Sequence, residues 1–219
     1  MDSLKAVMIR AMFGLALFAM VTAGLIATTQ AGTADRIQKA EDAARSRALL
    51  EVVPPELMDT PLLDGAFEIT ESSLLGFVEP VTAFHIQKNT QWTGVILPWL
   101  APEGYSGPIR GIVAIDRQGK VLGVRVTNHK ETPGLGDKIE RRKSDWVTQF
   151  ENLSFASLEE DLWKVKKDGG HFDQMTGATI TPRAVVKAVR KAVSFHAQHF
   201  ALLYPETSAP ENKEAIPHE

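Results

Sequence analysis

From Ala11 to Ala31 the chain carries no charged residue, and Met12, Phe13, Leu15, Leu17, Phe18, Met20, Val21, Leu25 and Ile26 dominate the run. Crossing a bilayer's hydrocarbon core takes about 20 residues at roughly 1.5 Å rise each, and this run just reaches that length. A cleaved secretory signal is the alternative. Lys5 and Arg10 would be its basic region, and the small residues around Thr28–Ala34 would supply its cleavage site. The run exceeds the usual apolar stretch of a signal, so an uncleaved anchor over 11–31 is expected. Orientation is less sharply written. Lys5 and Arg10 precede the span, but Arg36, Lys39, Arg45 and Arg47 follow it closely. A short leading tail with a large domain behind it behaves as a signal anchor. That expectation makes 1–10 a cytoplasmic tail and places the domain outside the cytoplasm.

The remaining chain reads as one globular domain with attachments. Its 219 residues are 44% hydrophobic and 23% charged, as in an ordinary folded protein. A net charge of −3 gives no basic excess to neutralise phosphates, which argues against nucleic acid as a partner. No cysteine is present, which excludes disulfides, iron–sulfur clusters and thiolate zinc sites on this chain.

Residues 34–52 read as a helix, with Ile37, Ala40, Ala44 and Ala48 at helical spacing and Pro54-Pro55 as its stop. Residues 32–55 are thus expected to be a helical linker, 56–204 the folded domain and 205–219 a disordered tail. Within the domain, 56–80 read as loop with short elements, and Val81–Gln87 and Gln91–Leu97 as strands. Ile109, Gly111, Val113 and Ile115 alternate along another strand. The turn Asp116–Gly119 returns it as Val121–Thr127, a hairpin. Ser144–Phe150 reads as a short helix capped by Ser144, with Trp146 and Phe150 on one face. A last long helix is expected to start at Pro182 with Thr181 as N-cap and Val185, Val186, Val189, Val193 and Phe200 inside. The fold class is α+β: a transmembrane helix, then a small domain with an antiparallel sheet and flanking helices.

The stretch Asp173-Gln174-Met175-Thr176-Gly177-Ala178-Thr179-Ile180-Thr181-Pro182 carries the chemistry. Thr179 lies just ahead of a helix whose first N–H groups lack intrahelical partners, and such an end attracts phosphate. Gly177 and Ala178 are small enough for a bulky group to approach the backbone. Ordinary capping threonines are the alternative.

This string resembles the D-x-x-[S/T]-G-A-[S/T] signature of FMN-binding domains modified by a flavin transferase. There the last hydroxyl residue forms a phosphoester with FMN, and Thr179 is the matching position. The stretch His129-Lys130-Glu131-Thr132-Pro133-Gly134-Leu135-Gly136-Asp137-Lys138 resembles the same family's loop against the isoalloxazine ring. By that match Glu131, Thr132, Gly134, Leu135 and Gly136 are flavin contacts, joined by Thr176, Gly177, Ala178 and Thr179. Gly104-Tyr105-Ser106-Gly107-Pro108 and Trp163–Gly170 complete the match, the former as structural support. The arrangement is similar to the G subunit of the Rnf (Rsx) ion-translocating electron-transport complex.

That resemblance implies an electron-carrying subunit of a translocating oxidoreductase, with covalent FMN, the other complex subunits, a flavin transferase and membrane lipid as partners. It also implies a bacterial inner-membrane protein with its FMN domain on the periplasmic side. A stand-alone flavin reductase and a redox sensor are the other readings. In the 133–136 loop, glycine would let backbone N–H groups reach the flavin and Leu135 pack on its face. Glu131 either bonds the flavin or caps its own loop. His129 is expected in a structural hydrogen bond, Trp146 and Trp163 in the core, and Lys166-Lys167-Asp168 in a charged loop. His196 and His199, at helical spacing, are expected on a solvated face and not at a metal.

Overall fold

The protein is described by a computed structural model covering residues 2–59 and 61–205. The expected tail therefore lies outside the described residues from 206 onward, as do the side chains of Ile37, Ala40 and Ala44. Two compact units divide the chain after Arg45.

One continuous helix, α1 (Asp2–Leu50), makes up the described part of the first unit and holds the expected span and the expected linker as far as Leu50. Val7–Ala34 is long and apolar enough to cross a membrane, with a mean hydropathy of 2.0. Its large side chains are exposed all round: Phe13 is 69% exposed, Leu15 71% and Leu25 67%. A helix apolar on every side has no solvated face to offer water, unlike the striped helix of a globular domain. α1 ends at Leu50, four residues short of Pro54.

The second unit is built on a five-stranded antiparallel meander: β1 (Ala66–Ile69), β2 (Val81–Lys88), β3 (Gln91–Ala101), β4 (Ile109–Asp116) and β5 (Val121–Asn128). Side-chain alternation divides the sheet into two faces. Val95, Leu97, Trp99, Ile109, Val113 and Ile115 share one core with α2 (Ile180–Gln198) and the irregular segment between β5 and α2. Phe84, Ile86, Ile96 and Ala114 share a second core with Leu49, Val52, Val53 and Leu62, so Leu49 and the residues that follow α1 cover the opposite face. Two glycines permit this closeness. A Cβ on Gly123 would stand 2.8 Å from the Val52 carbonyl oxygen, and one on Gly111 would stand 2.1 Å from the Trp99 ring.

Trp146 and Trp163 are buried as expected and cluster with Phe150 and Phe172. The expected helix at 144–150 is a short 3-10 helix, Trp146–Phe150, with Ser144 Oγ accepting the Trp146 N–H at 3.0 Å. Three expectations need correction. α2 starts at Ile180, two residues before Pro182, and Thr179 holds the N-cap position. Proline is tolerated there because first-turn N–H groups have no helical partner to lose. Phe200 is not part of the buried face of α2. It belongs to α3 (Phe200–Leu203) and is 40% exposed. His196 is not solvated: it is 2% exposed, with Nε2 3.0 Å from the Tyr204 hydroxyl. The chain turns back after α2 and lays Tyr204 over it. His199 stacks on Phe195 at 4.2 Å. Among the described residues no cluster of His, Asp and Glu is set to hold a metal.

Candidate functional site

Three chain segments meet at the N-terminal end of α2. The first is the turn at Met175–Ala178, closed by the Ala178 N–H donating to the Met175 carbonyl at 3.1 Å. Gly177 is its third residue with φ +81°, a left-handed conformation that suits glycine. A Cβ at Gly177 would also press to 3.0 Å from Leu135 Cδ2. Asp173 anchors the chain ahead of this turn. Its carboxylate takes Lys166, its N–H donates to Gln149 at 2.8 Å, and its carbonyl accepts Trp146 Nε1 at 2.7 Å.

The second segment is the loop after β5. The Thr132 carbonyl accepts the N–H groups of Leu135, Gly136 and Asp137 at 3.2, 3.1 and 3.4 Å, and the Gly134 N–H turns to the Asp137 carboxylate. The donors expected to reach the flavin from this loop are therefore satisfied inside it, because the loop closes as a turn into a 3-10 helix, Gly136–Ile139. Lys143 Nζ bridges Asp137 (2.9 Å) and Glu140 (2.8 Å). Its hydrogen bonds hold both carboxyls below their ordinary range and raise its own pKa. His129 behaves as expected. Its Nδ1 accepts the Glu131 N–H at 3.0 Å, which leaves Nε2 to donate to Glu140 Oε1 at 3.0 Å.

Glu131 ties this loop to Ser106 of the third segment, 104–108, and to Thr181 in the first turn of α2, into which the first segment runs. It is 4% exposed, and its Oε1 accepts the Ser106 N–H at 3.0 Å while its Oε2 accepts the Thr181 hydroxyl. Glycines flank the carboxylate on both sides. A Cβ on Gly104 would stand 3.0 Å from Oε1, and one on Gly136 3.1 Å from Oε2 and 2.9 Å from Thr181 Oγ1. The 104–108 stretch thus supports the site through Ser106, as expected.

These segments wall a cleft of about 320 Å³ lined by Tyr105, Glu131, Thr132, Leu135, Gly136, Gly177, Ala178, Thr179, Ile180 and Thr181. That volume falls within the usual range of small-molecule pockets. Seven of the nine expected contacts are brought together here. Gly134 and Thr176 are exposed and do not line the cleft. Sequence reasoning missed Tyr105, Ile180 and Thr181 as cleft walls, although all three lie inside the motifs it had singled out. Tyr105, Leu135 and Ile180 are exposed by 67%, 41% and 46%, an apolar rim around the mouth.

The three hydroxyls of the signature have different fates. Thr181 is 1% exposed and committed to Glu131. Thr176 stands outside the cleft. Thr179 lines the cleft, half-buried, and its side chain makes no capping hydrogen bond. Neither Thr179 nor Thr181 is an ordinary capping threonine. The first turn of α2 adds backbone donors beside Thr179 and the positive end of the helix dipole, which together suit a phosphate.

Comparison with known proteins gives the chain's family. Residues 104–194 match the FMN-binding domain family and residues 1–52 the RnfG N-terminal region. The G subunit of an ion-translocating oxidoreductase complex from Pseudomonas aeruginosa is 48% identical over 203 residues, covering 92% of this chain and 95% of that protein. Its counterpart from Vibrio cholerae is 46% identical, covering 91% and 95%. Among solved structures, the C subunit of the Na(+)-translocating NADH-quinone reductase from Parabacteroides distasonis shares the fold. Its TM-score is 0.50 at 18% identity, over 74% of this chain and 94% of that one.

Proposed function

The chain belongs to the G-subunit family of ion-translocating oxidoreductase complexes and carries an FMN-binding domain, and on that premise we propose that it is an electron carrier whose FMN is esterified through its phosphate to the Thr179 hydroxyl. The observation that carries the reading is the state of the three signature hydroxyls: only Thr179 both faces the cleft and has its oxygen unengaged. The residues present fit the group. Backbone donors of the first turn of α2 would hold the phosphate, Leu135, Ile180 and Tyr105 would wall the ring, and Gly136 and Gly177 would let it approach the backbone. When bound, FMN supplies exchange of one or two electrons. The chain's own residues fix its place. Glu131 ties the cleft's three segments together with its carboxylate, and Lys143 and His129 brace the loop behind it. A flavin transferase would form the ester from an activated flavin-phosphate donor: the Thr179 Oγ1–P bond forms as the donor's P–O bond to its leaving group breaks, the leaving group takes the hydroxyl proton, and the chain gains one FMN less one water.

The reading extends to location. Residues 11–31 anchor the chain in the inner membrane in contact with lipid, 1–10 stay in the cytoplasm, 32–55 link, and the domain over 56–204 faces the periplasm. Ion movement belongs to other subunits, because a single span with no intramembrane charge offers no pathway. A stand-alone reductase lacks support. The one carboxyl in the cleft wall, Glu131, has both oxygens engaged by Ser106 and Thr181, so neither is free for a substrate.

Thr176→Ala, Thr179→Ala and Thr181→Val chains, each made together with the transferase, test the assignment by flavin fluorescence on denaturing gels. The Thr179 variant alone should be wholly dark. A fluorescent Thr179→Ala band would move the bond elsewhere.

A further inference from the structure

Beyond Thr179, α2 carries Arg183, Lys187, Arg190 and Lys191 and, from Ile180 to Gln198, no acidic residue. Offsets of four, seven and eight residues from Arg183 place these cations on one helix face. That face borders a groove of about 220 Å³, with Trp163 and Val165 buried in its wall and Lys164 and Asp168 contributed by the preceding loop.

The charges in and around the groove are unevenly matched. Asp168 engages Arg183 through a two-toothed contact, with Nε at 2.6 Å, and Glu103 engages Lys187 at 2.8 Å. Lys164 pairs with Asp161, 3.9 Å away and 94% exposed, and feels the Asp168 carboxylate, already held by Arg183, through space. Glu160 approaches Ser194 at 3.4 Å near the far end of the helix. Lys167 and Lys191 make no ion pair but act through space on Asp168 and Glu103, whereas Arg190 makes no ion pair or side-chain hydrogen bond among the described residues. Arg190 matters most, because it is half-buried in the groove wall. A guanidinium partly withdrawn from water and left unpaired favours a carboxylate, whose two oxygens match its fork. The groove opens one turn beyond Ile180 and Thr181, which wall the cleft, so a protein seated there stands beside the proposed flavin position.

We propose that this groove docks an acidic face of the protein that exchanges electrons with the flavin, with Arg190 and Lys164 receiving its carboxylates; the inference rests on the electron-carrier reading above. Neither residue lines the flavin cleft.

The test uses the full chain assembled in its complex, as wild type, Lys164→Glu/Arg190→Glu and Lys164→Arg/Arg190→Lys. Wild-type flavin reduction should slow as salt rises. The charge reversal should slow it about tenfold at low salt and flatten the salt dependence, while the charge-conserving pair keeps both. Covalent FMN content should be equal in all three. Co-purification of the other subunits with the tagged chain reads the surface independently of the flavin, and it should fall severalfold in the reversal alone. Unchanged rates, salt profile and co-purification would overturn the proposal. So would a reversal that lost only co-sedimentation with phosphatidylglycerol vesicles, which would assign the groove to lipid. A wild-type chain lacking FMN would refute the flavin reading, while co-purification would still judge the groove.

Discussion

Replacing Glu131 by alanine should loosen the site from its floor upward. The Thr181 hydroxyl that Glu131 accepts is 1% exposed, so it cannot turn to water when the carboxylate is removed. Stranding such a donor costs about 1–3 kcal/mol. Losing the side chain's buried methylene adds about 0.8 kcal/mol. The Ser106 N–H contributes little, because Ser106 is exposed and can be rehydrated. The sum is about 2–4 kcal/mol. In a protein of this size each kcal/mol shifts the melting temperature by about 2–4 °C, so Glu131→Ala should melt about 5–15 °C lower. Glu131→Gln keeps an acceptor for Ser106 and offers an amide N–H to Thr181 Oγ1, and it should stay within about 4 °C. Thermal melts of the full chain in detergent, prepared without FMN, measure both. Thr181→Val should be non-additive with Glu131→Ala, since each removes the same bond. If Gln proves as damaging as Ala, or Ala costs nothing, the claim that this carboxylate joins the three segments fails.

The other expectations follow from single groups. His196 is kept neutral by burial, which lowers its pKa to about 4, whereas the unfolded chain takes up a proton near the ordinary 6.5. The unfolded state then binds more protons between these values, so stability should fall by up to about 3 kcal/mol as pH drops from 6.5 to 4 and be unaffected by this group above 6.5. His196→Gln should flatten that slope in melts across the same range; an unchanged slope would reject the assignment. Gly177→Ala places an L-residue at φ +81° and forces Leu135 to move, costing about 1–2 kcal/mol and lowering FMN attachment while the domain still folds. Full attachment in this variant would mean that the turn does not shape the cleft. Protease added to spheroplasts should digest the domain, and its protection would place it in the cytoplasm.

Much of the fold is legible in the sequence because its signals are local. The β4–β5 hairpin announces itself through alternating apolar residues around Asp116–Gly119, and the apolar run of α1 through length alone. β3 reads only to Leu97 because Pro98 has no N–H to donate, yet the strand continues to Ala101 paired with β4. What local signals miss depends on distant contacts. Glu131 finds its partners 25 and 50 residues away, so spacing cannot decide between loop cap and flavin ligand. His196 reads as solvated from its polar type and lack of a carboxylate partner, although it follows Val189 and Val193 on the buried face of α2, where Tyr204 folds back over it. The 133–136 loop has the glycines for ligand-facing donors, but only its folded closure shows that Thr132 takes them. The cleft itself is nearly complete in the two motifs, because both bring their neighbours with them.

The mass of the native chain extracted from membranes, followed by fragmentation to locate any added group, bears most directly on the assignment of Thr179. The expected spectrum shows one FMN less one water, carried on the peptide containing residues 176–181 and placed on Thr179. An unmodified native chain, or the adduct on Thr176 or Thr181, would contradict the central claim.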